Sequence, residues 1–398
     1  MGKQSRLIRD ITVYGEDRIY ERGSVRIKDG KVEALEAQHD VGKTEPEEEV
    51  ISLDPDYICI PGLIDVHIHG AAGADVTDGT PEALSTIAGA LPAEGTTSFL
   101  ATTMTQESAI IEKALDNAGS YWGAQSGSGC AEMLGIHLEG PFLSPKRAGA
   151  QPVNHIIDPD LERFRKWQEA AGGHIRLVTL APEQAGGLEL VRYLADNGVI
   201  ASVGHSDATF EQVEEAIAAG ASHVTHLYNG MRGLHHREPG VVGAALLRKE
   251  LTAEMIVDGI HLRPEMVELA YRQKKKSGLV LITDAIRAKC LRNGTYDLGG
   301  QDVIVKDGEA RLASGSLAGS MLKMNDAIRN VMAYTGCNLA EAVQMSAANP
   351  AKELKIFDRK GSIAAGKDAD LVILDRDLNV AMTLCRGEIA YEREGVRR

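Results

Sequence analysis

Short apolar runs alternate with helical stretches through the middle of this sequence. Eight runs between about residues 59 and 355 have the length of strands, and the segments between them have the composition of helices. Eight β-α units predict an α/β protein built on a (β/α)8 TIM-type barrel. A doubly wound open sheet is the alternative, but the first strand is not followed by a nucleotide-binding fingerprint. The predicted strands are Gly62–His69, Thr96–Ala101, Met133–Glu139, Ile175–Ala181, Val199–His205, His223–Leu227, Glu254–Asp258 and Leu279–Asp284.

Both ends of the chain read as strands. Ser24–Lys28 and Lys31–Leu35 flank an Asp29-Gly30 hairpin turn, and Asp370–Leu374 and Val380–Cys385 lie near the other terminus. Because two or three strands alone are only marginally stable in water, we expect the two ends to meet in one small β-domain of β-sandwich type. The predicted division is residues 1–58 for its N-terminal part, 59–355 for the barrel and 356–398 for its C-terminal part.

The charge balance excludes some classes of partner. The chain has 43 basic and 57 acidic residues and a net charge of −14, which argues against nucleic acid or an anionic membrane as the main partner. Its five cysteines form no closely spaced pair, and the N-terminus has no apolar leader segment. These features predict a cytoplasmic protein.

Polar residues gather at the carboxyl ends of the predicted strands, where barrels of this type build their active sites. Imidazole and carboxylate groups together suit zinc, iron, manganese or cobalt. We therefore predict one or two divalent metal ions, and with two ions Glu139 would bridge them. His137 shares a face with Glu139, but we assign it a supporting or packing role. The candidate residues are His67, His69, Glu139, His205, His226 and Asp284.

A second cluster is basic. It comprises Lys146–Arg147 after the third strand, Asn229–Arg232 and His235–Arg237 after the sixth, and His261 after the seventh. In an acidic chain this cluster predicts a site for an anionic substrate group such as phosphate. A solvated loop whose charges pair internally is the alternative.

At these residues the sequence resembles the amidohydrolase superfamily and, within it, the N-acetylglucosamine-6-phosphate deacetylases. The resemblance covers nearly the whole chain, and the combination of HLEGPF, THLYN and HHREPG is its most specific part. The matching segments are PGLIDVHIHG (61–70), HLEGPFLSPKRAGAQ (137–151), GHSDAT (204–209), THLYNGM (225–231), HHREPG (235–240), DGIHL (258–262), TDA (283–285), LAGS (317–320) and GKDADLVIL (366–374).

The resemblance implies a role for each candidate residue. Glu139, His205 and His226 would bind one metal ion, His67 and His69 would add a second, and Asp284 would be the catalytic acid and base. His261 is similar to a residue that reaches the neighbouring site of a homodimer. Some relatives have histidine where this chain has Gln151, which leaves the contact made there open. The implied sugar and phosphate contacts are Ala150, Asn229, Gly230, Arg237, Asp258, His261, Leu317, Ala318 and Gly319.

The activity that the resemblance implies is metal-dependent hydrolysis of the N-acetyl group of N-acetylglucosamine 6-phosphate, in amino-sugar catabolism and cell-wall recycling. One alternative is a cyclic amide hydrolase of dihydroorotase or hydantoinase type. It is disfavoured because the fourth strand ends in Thr179 to Pro182 without the metal-bridging lysine of those enzymes. The other is a catalytically inactive assembly protein, against which the intact ligands and Asp284 count.

Overall fold

The computed structural model describes residues 5–37, 48–125 and 127–396. Within them, eight parallel strands form a nearly closed barrel in sequence order. The strands are almost wholly buried, as expected where helices cover the outside of a parallel sheet. The barrel strands are Leu63–Ile68, Thr96–Thr102, Glu132–Glu139, Ile175–Leu180, Ile200–Val203, His223–Val224, Thr252–Ile256 and Leu279–Ile282.

The first and eighth barrel strands meet just beyond the end of the eighth. The amide of Asp284 donates to the carbonyl of His67 at 2.8 Å, and the amide of His69 donates to the carbonyl of Ala285 at 2.9 Å. This closure brings Asp284 beside the two histidines of the first strand. The predicted TIM-type barrel is therefore confirmed.

Helices follow the barrel strands and pack against them. Two of them begin with a capping box, in which side chains accept hydrogen bonds from amides at the start of the helix. Thr209 and Gln212 cap each other's backbone, as do Asn338 and Glu341. The α-helices are Pro81–Ala90, Ser108–Ala124, Leu161–Ala170, Gly187–Asp196, Phe210–Ala219, Gly240–Leu247, Pro264–Lys274, Met324–Thr335, Leu339–Val343 and Asn349–Glu353. None of the helices in the described ranges is long and apolar enough to cross a bilayer.

The two ends of the chain meet in one β-domain, as predicted, and its strands belong to one sheet. It branches at Arg6–Tyr14, which pairs with Ile19–Lys28, Glu49–Ser52 and Ile58–Pro61. The sheet surrounds an apolar core drawn from both ends of the chain, including Ile8 and Ile373. The domain limits at residues 58 and 355 stay a prediction. The other strands of this sheet are Lys31–Glu36, Leu371–Leu374, Val380–Cys385 and Glu388–Glu392.

A three-stranded sheet follows the eighth barrel strand. It consists of Gly294–Leu298, Gln301–Lys306 and Glu309–Leu312, and the last two strands form a hairpin around Asp307-Gly308. Its apolar face packs on Met104, Ile286 and Ala318. Because these contacts lie at the carboxyl ends of the barrel strands, the sheet stands over one side of the barrel mouth. A small pair of strands, Gly70–Ala71 and Ala74–Asp75, lies directly after the first barrel strand.

Candidate active site

Three donor atoms from three different strand ends converge at the mouth of the barrel. Oε1 of Glu139 lies 3.2 Å from Nε2 of His205 and 3.2 Å from Nε2 of His226, and the two nitrogens are 3.1 Å apart. Ligands that share a tetrahedral ion at about 2.0–2.1 Å lie about 3.3 Å from one another. The spacing of these three atoms therefore fits a single metal ion.

The hydrogen bonding of His205 favours the same conclusion. Its Nδ1 lies 2.8 Å from the carbonyl oxygen of Arg147, which can only accept a hydrogen bond. A neutral ring with its proton on Nδ1 has a lone pair on Nε2, the form in which histidine binds a metal. That lone pair is directed toward Glu139 and His226.

A second group of donors shares Glu139. Nε2 of His69 lies 3.3 Å from Oε2 of Glu139 and 3.2 Å from Oδ1 of Asp284. Nε2 of His67 lies 3.6 Å from Oε1 of Glu139 and 3.5 Å from Oδ1 of Asp284, and it is a buried nitrogen without a hydrogen-bond partner among the described residues. Oε1 of Glu139 thus faces His205, His226 and His67, and Oε2 faces His69. The carboxylate is within reach of both groups, as a bridging carboxylate must be.

Both carboxyl groups are ionised at neutral pH. Burial opposes the charged form of Glu139, but the charge that His67 carries when protonated and the other neighbouring histidines outweigh it, and the pKa of this carboxyl falls well below its usual range. Burial also opposes charge on Asp284, and His67 and His69 lower its pKa. Asp284 is therefore available as a base beside the two donor groups.

Three of these residues have a backbone conformation that residues other than glycine rarely adopt. The φ angle is +46° at His205, +33° at His226 and +49° at Asp284. Such a conformation costs about 1–3 kcal/mol and persists where the surroundings impose it, typically at functional sites. Here it turns each side chain inward immediately after its strand ends.

The clusters open into a cavity of about 400 Å³. Two-thirds of the predicted sugar and phosphate contacts line its wall, together with His69, Glu139, His205, His226 and Asp284. The predicted contacts on this wall are Ala150, Asn229, Gly230, His261, Leu317 and Gly319.

The other three predicted contacts lie off this wall. Asp258 supports His261, because its Oδ2 lies 2.7 Å from Nδ1 of the histidine. Ala318 is buried against the three-stranded sheet. Arg237 is exposed on the loop after the sixth strand and hydrogen-bonds His236 at 2.7 Å, so a role in substrate binding stays a prediction.

Comparison with known proteins identifies the family of this chain. Residues 58–390 match the model of the amidohydrolase family. The chain belongs to the amidohydrolase family. It is 49% identical to the N-acetylglucosamine-6-phosphate deacetylase of Bacillus subtilis over 98% of both chains. It is 38% identical to an N-acetylgalactosamine-6-phosphate deacetylase of Escherichia coli O157:H7, over 92% of this chain and 94% of that one.

A solved relative of this amidohydrolase contains a ligand. The N-acetyl-D-glucosamine-6-phosphate deacetylase of Mycobacterium smegmatis, determined in complex with N-acetyl-D-glucosamine-6-phosphate, is 32% identical. It superimposes with a TM-score of 0.89 over 98% of this chain and 100% of its own. The family is metal-dependent, and the histidine and glutamate clusters described above could hold an ion.

The structure adds residues whose contacts the sequence left open or missed. Gln151 donates from Nε2 to Oε2 of Glu139 at 2.7 Å, and its Oε1 accepts from the amide of Thr105 at 2.9 Å, so it orients the shared carboxylate. Arg311 lines the cavity from the three-stranded sheet. Glu254, a buried carboxylate in the seventh barrel strand, contacts His67. It lies outside the sequence motifs of the site, so only the fold reveals this contact.

Proposed function

We propose that this amidohydrolase hydrolyses the N-acetyl group of N-acetylglucosamine 6-phosphate, giving glucosamine 6-phosphate and acetate. The observation that carries the proposal is that His69, Glu139, His205, His226 and Asp284 lie on the wall of one cavity, together with six of the nine predicted sugar and phosphate contacts. The fourth barrel strand ends at Leu180, and Ala181 and Pro182 follow it, so this strand end supplies no bridging lysine. The cyclic amide hydrolase alternative is therefore not retained.

The proposed cofactor is one or two divalent ions of zinc, iron, manganese or cobalt. Glu139, His205 and His226 would hold one ion, and His67 and His69 with Glu139 would hold the other. When bound, such an ion lowers the pKa of a water molecule from about 15.7 toward about 7 and polarises the acetyl carbonyl.

Asp284 would move the proton. Its carboxylate accepts a proton from the attacking water as the oxygen of that water bonds to the acetyl carbon. The same carboxyl group then donates the proton to the amide nitrogen as the C–N bond breaks, so the sugar leaves as a neutral amine. Gln151 and the histidines hold Glu139 in place throughout, and the cavity wall orients the sugar.

The substrate phosphate has two candidate partners. Arg237 is the one implied by the resemblance. Arg311 is the one that lines the cavity, where Glu309 binds its Nε at 2.7 Å and the carbonyl of Gly315 accepts from its Nη1 at 2.8 Å. An arginine fixed in this way presents its remaining N–H groups in a defined direction, which suits a phosphate oxygen.

We propose that the protein is cytoplasmic and works as a homodimer in which His261 serves the neighbouring site. What supports a dimer is the exposed loop after the sixth strand, where Leu234 is 56% exposed beside Arg237. Within a single chain His261 lines its own cavity, which is the competing arrangement.

Mixing two inactive variants distinguishes these arrangements. His261→Ala and Asp284→Asn protomers, once exchanged, should regain activity, because a mixed dimer would have one intact composite site. If subunits exchange, as followed by mass-tagged protomers, and no activity returns, His261 acts within its own chain. Sedimentation of the untreated protein checks the dimer itself.

One experiment tests the function and the cofactor together. Elemental analysis of the purified protein is combined with acetate release from N-acetylglucosamine 6-phosphate, N-acetylgalactosamine 6-phosphate and unphosphorylated N-acetylglucosamine. We expect bound divalent metal and the fastest release from the first substrate. Metal-loaded protein that releases no acetate from it would overturn the proposed function.

The number of ions is tested by a double variant. His67→Asn with His69→Asn should lower the metal content by one ion per chain, because Glu139, His205 and His226 are sufficient for one ion. An unchanged metal content would contradict the two-ion site.

A further inference from the structure

A buried carboxylate lies behind the site and contacts two of its histidines. Glu254 lies in the seventh barrel strand and is 0% exposed. Its Oε2 lies 3.0 Å from Nδ1 of His67 and accepts a hydrogen bond from the backbone amide of His226 at 3.0 Å. One oxygen thus connects histidines from the first and sixth strands.

The contact with His67 decides which nitrogen of that ring faces the site. An ionised carboxylate only accepts hydrogen bonds, so the proton of a neutral His67 ring lies on Nδ1 and the lone pair lies on Nε2. Nε2 is the atom directed toward Glu139 and Asp284. Glu254 therefore selects the tautomer that can bind an ion.

The contact with His226 acts on the backbone. His226 has a φ of +33°, an unfavourable conformation that needs support from its surroundings. The hydrogen bond from its amide to Glu254 is such a support, and it is made inside the barrel where water does not compete. The same carboxylate thereby fixes a ring on one side of the site and a backbone turn on the other.

Glu254 is in turn held from the far end of the barrel. Its Oε1 lies 3.1 Å from Nε2 of His223, and Nδ1 of His223 lies 2.9 Å from Oε2 of Glu353. Burial opposes charge on His223, but Glu353 and Glu254 outweigh it and raise its pKa to about 10. A cationic His223 thus lies between two carboxylates.

Glu353 ends a short helix and lines a second cavity of about 310 Å³. Glu132, Arg176 and Ile200, from the starts of the third, fourth and fifth barrel strands, line the same cavity. Glu353, His223, Glu254 and His67 therefore form one chain of contacts from this cavity to the opposite end of the barrel.

We propose that Glu254 is a positioning residue that holds His67 with Nε2 toward the ion, and that His223 and Glu353 hold Glu254 in that place. This rests on the proposed ion site. Partners that orient a metal-binding histidine typically change metal affinity 10- to 100-fold when they are altered. The sequence motifs of the site contain neither Glu254 nor Glu353, so their contribution is visible only in the fold.

Two substitutions separate the reach of Glu254 from its charge. Glu254→Asp keeps the charge but withdraws the oxygens by one methylene, and Glu254→Gln keeps the reach and one accepting oxygen but loses the charge. Zn²⁺ affinity is measured on the metal-free full-length protein by competition with a chromophoric chelator. We expect the aspartate variant to bind one equivalent about 10- to 100-fold more weakly. The glutamine variant should stay much closer to the parent.

Glu132→Asp is the matched control, since it shortens another partly buried, ion-paired glutamate in the barrel that does not reach the site. Nitrogen-15 NMR of histidine-labelled, zinc-loaded protein adds a readout that simple destabilisation would not move. The Nδ1–H signal that His67→Asn removes should persist in Glu254→Gln and weaken or shift in Glu254→Asp. A Glu254→Asp variant that binds too little zinc for titration shows the expected loss, provided that Glu132→Asp still binds zinc.

Several outcomes would overturn the proposal. Parent-like zinc affinity in Glu254→Asp, equal losses in the two Glu254 variants, or an equal loss in Glu132→Asp would each do so. Glu353→Gln should weaken zinc binding several-fold. An unchanged affinity in this variant would mean that His223 and Glu353 do not hold Glu254 in place. A parent protein that binds no Zn²⁺ would instead overturn the ion site, so the two failures are distinguishable.

Discussion

Two glutamates stand at opposite ends of the third barrel strand. Glu132 begins it and is bound by Arg359 through two contacts of 3.0 Å and by Lys360 at 2.9 Å. Glu139 ends it and is reached by histidines and by the amide of Gln151. Arginine and lysine keep their protons, whereas an imidazole can give one up and bind a metal through the freed nitrogen. A glutamate therefore forms an internal ion pair at one end of the strand, and at the other end a glutamate is placed where it could bind a metal.

The comparison extends to what each end connects. Lys360 also reaches Asp370, which precedes a strand of the terminal sheet, so the charges around Glu132 join that sheet to the barrel. The charges around Glu139 join strands of the barrel to each other across its mouth. One set stabilises an interface, and the other would be incomplete without a cation.

The sharpest test exchanges each glutamate for glutamine. Glu139→Gln should lose both ions and reduce acetate release to the background, because the shared carboxylate contributes to both donor groups. Glu132→Gln should retain the full metal content and turnover. Elemental analysis and acetate release check both variants, and metal retained at parent level by Glu139→Gln would contradict the bridging role.

Asp284→Asn should have the next largest effect. The asparagine keeps the shape of the side chain but cannot accept the proton, so turnover should fall about 10²- to 10⁴-fold. Substrate affinity should change little, because the sugar contacts lie on other residues. Metal content is measured on the same sample, since Asp284 lies close to both donor groups. A variant with its metal and near-parental turnover would mean that another group moves the proton.

The two arginines should differ in a way that identifies the phosphate contact. Loss of a charge-assisted hydrogen bond costs about 1.5–3 kcal/mol, which is about 10- to 150-fold in kcat/KM. Arg237→Ala or Arg311→Ala should therefore impair the phosphorylated substrate far more than the unphosphorylated one. The arginine whose loss affects both substrates equally is structural. Arg376→Ala, at an exposed pair with Asp56, is a matched control remote from the cavity.

These comparisons also explain what the sequence could predict. The barrel and the six residues at its mouth follow from the repeat of apolar strands and from polar groups at their ends. The limits of the strands could not be predicted in this way. The strands predicted over Val199–His205 and His223–Leu227 end at Val203 and Val224 in the structure. The left-handed turns at His205 and His226 follow there, and they are imposed by contacts between strands that local propensity cannot encode.

The same reason explains the residues that the sequence missed. Arg311 reaches the cavity because the three-stranded sheet folds back over the barrel mouth, which depends on packing against Met104 and Ala318. Glu254 matters through His67, which is 187 positions away in the chain. Contacts at such separation carry no local pattern.

The smallest expected effect is on stability in acid. Burial opposes charge on Glu132, but Lys360 and Arg359 outweigh it and lower its pKa from the usual 4.5 to about 2. A carboxyl group whose pKa is lower in the folded state stabilises the protein fully above its unfolded pKa. That contribution is lost as the pH falls from about 4.5 toward about 2, because the unfolded chain takes up the proton first. The parent should therefore lose more stability than Glu132→Gln over this window, by about 1–3 kcal/mol.

Urea unfolding of both proteins at pH 6, 4 and 3 measures the difference, which cancels the titration of the other carboxyl groups. If the difference in unfolding free energy between parent and variant stays constant with pH, the ion pairs do not hold Glu132 ionised. The contrast between the two ends of the strand would then not rest on charge.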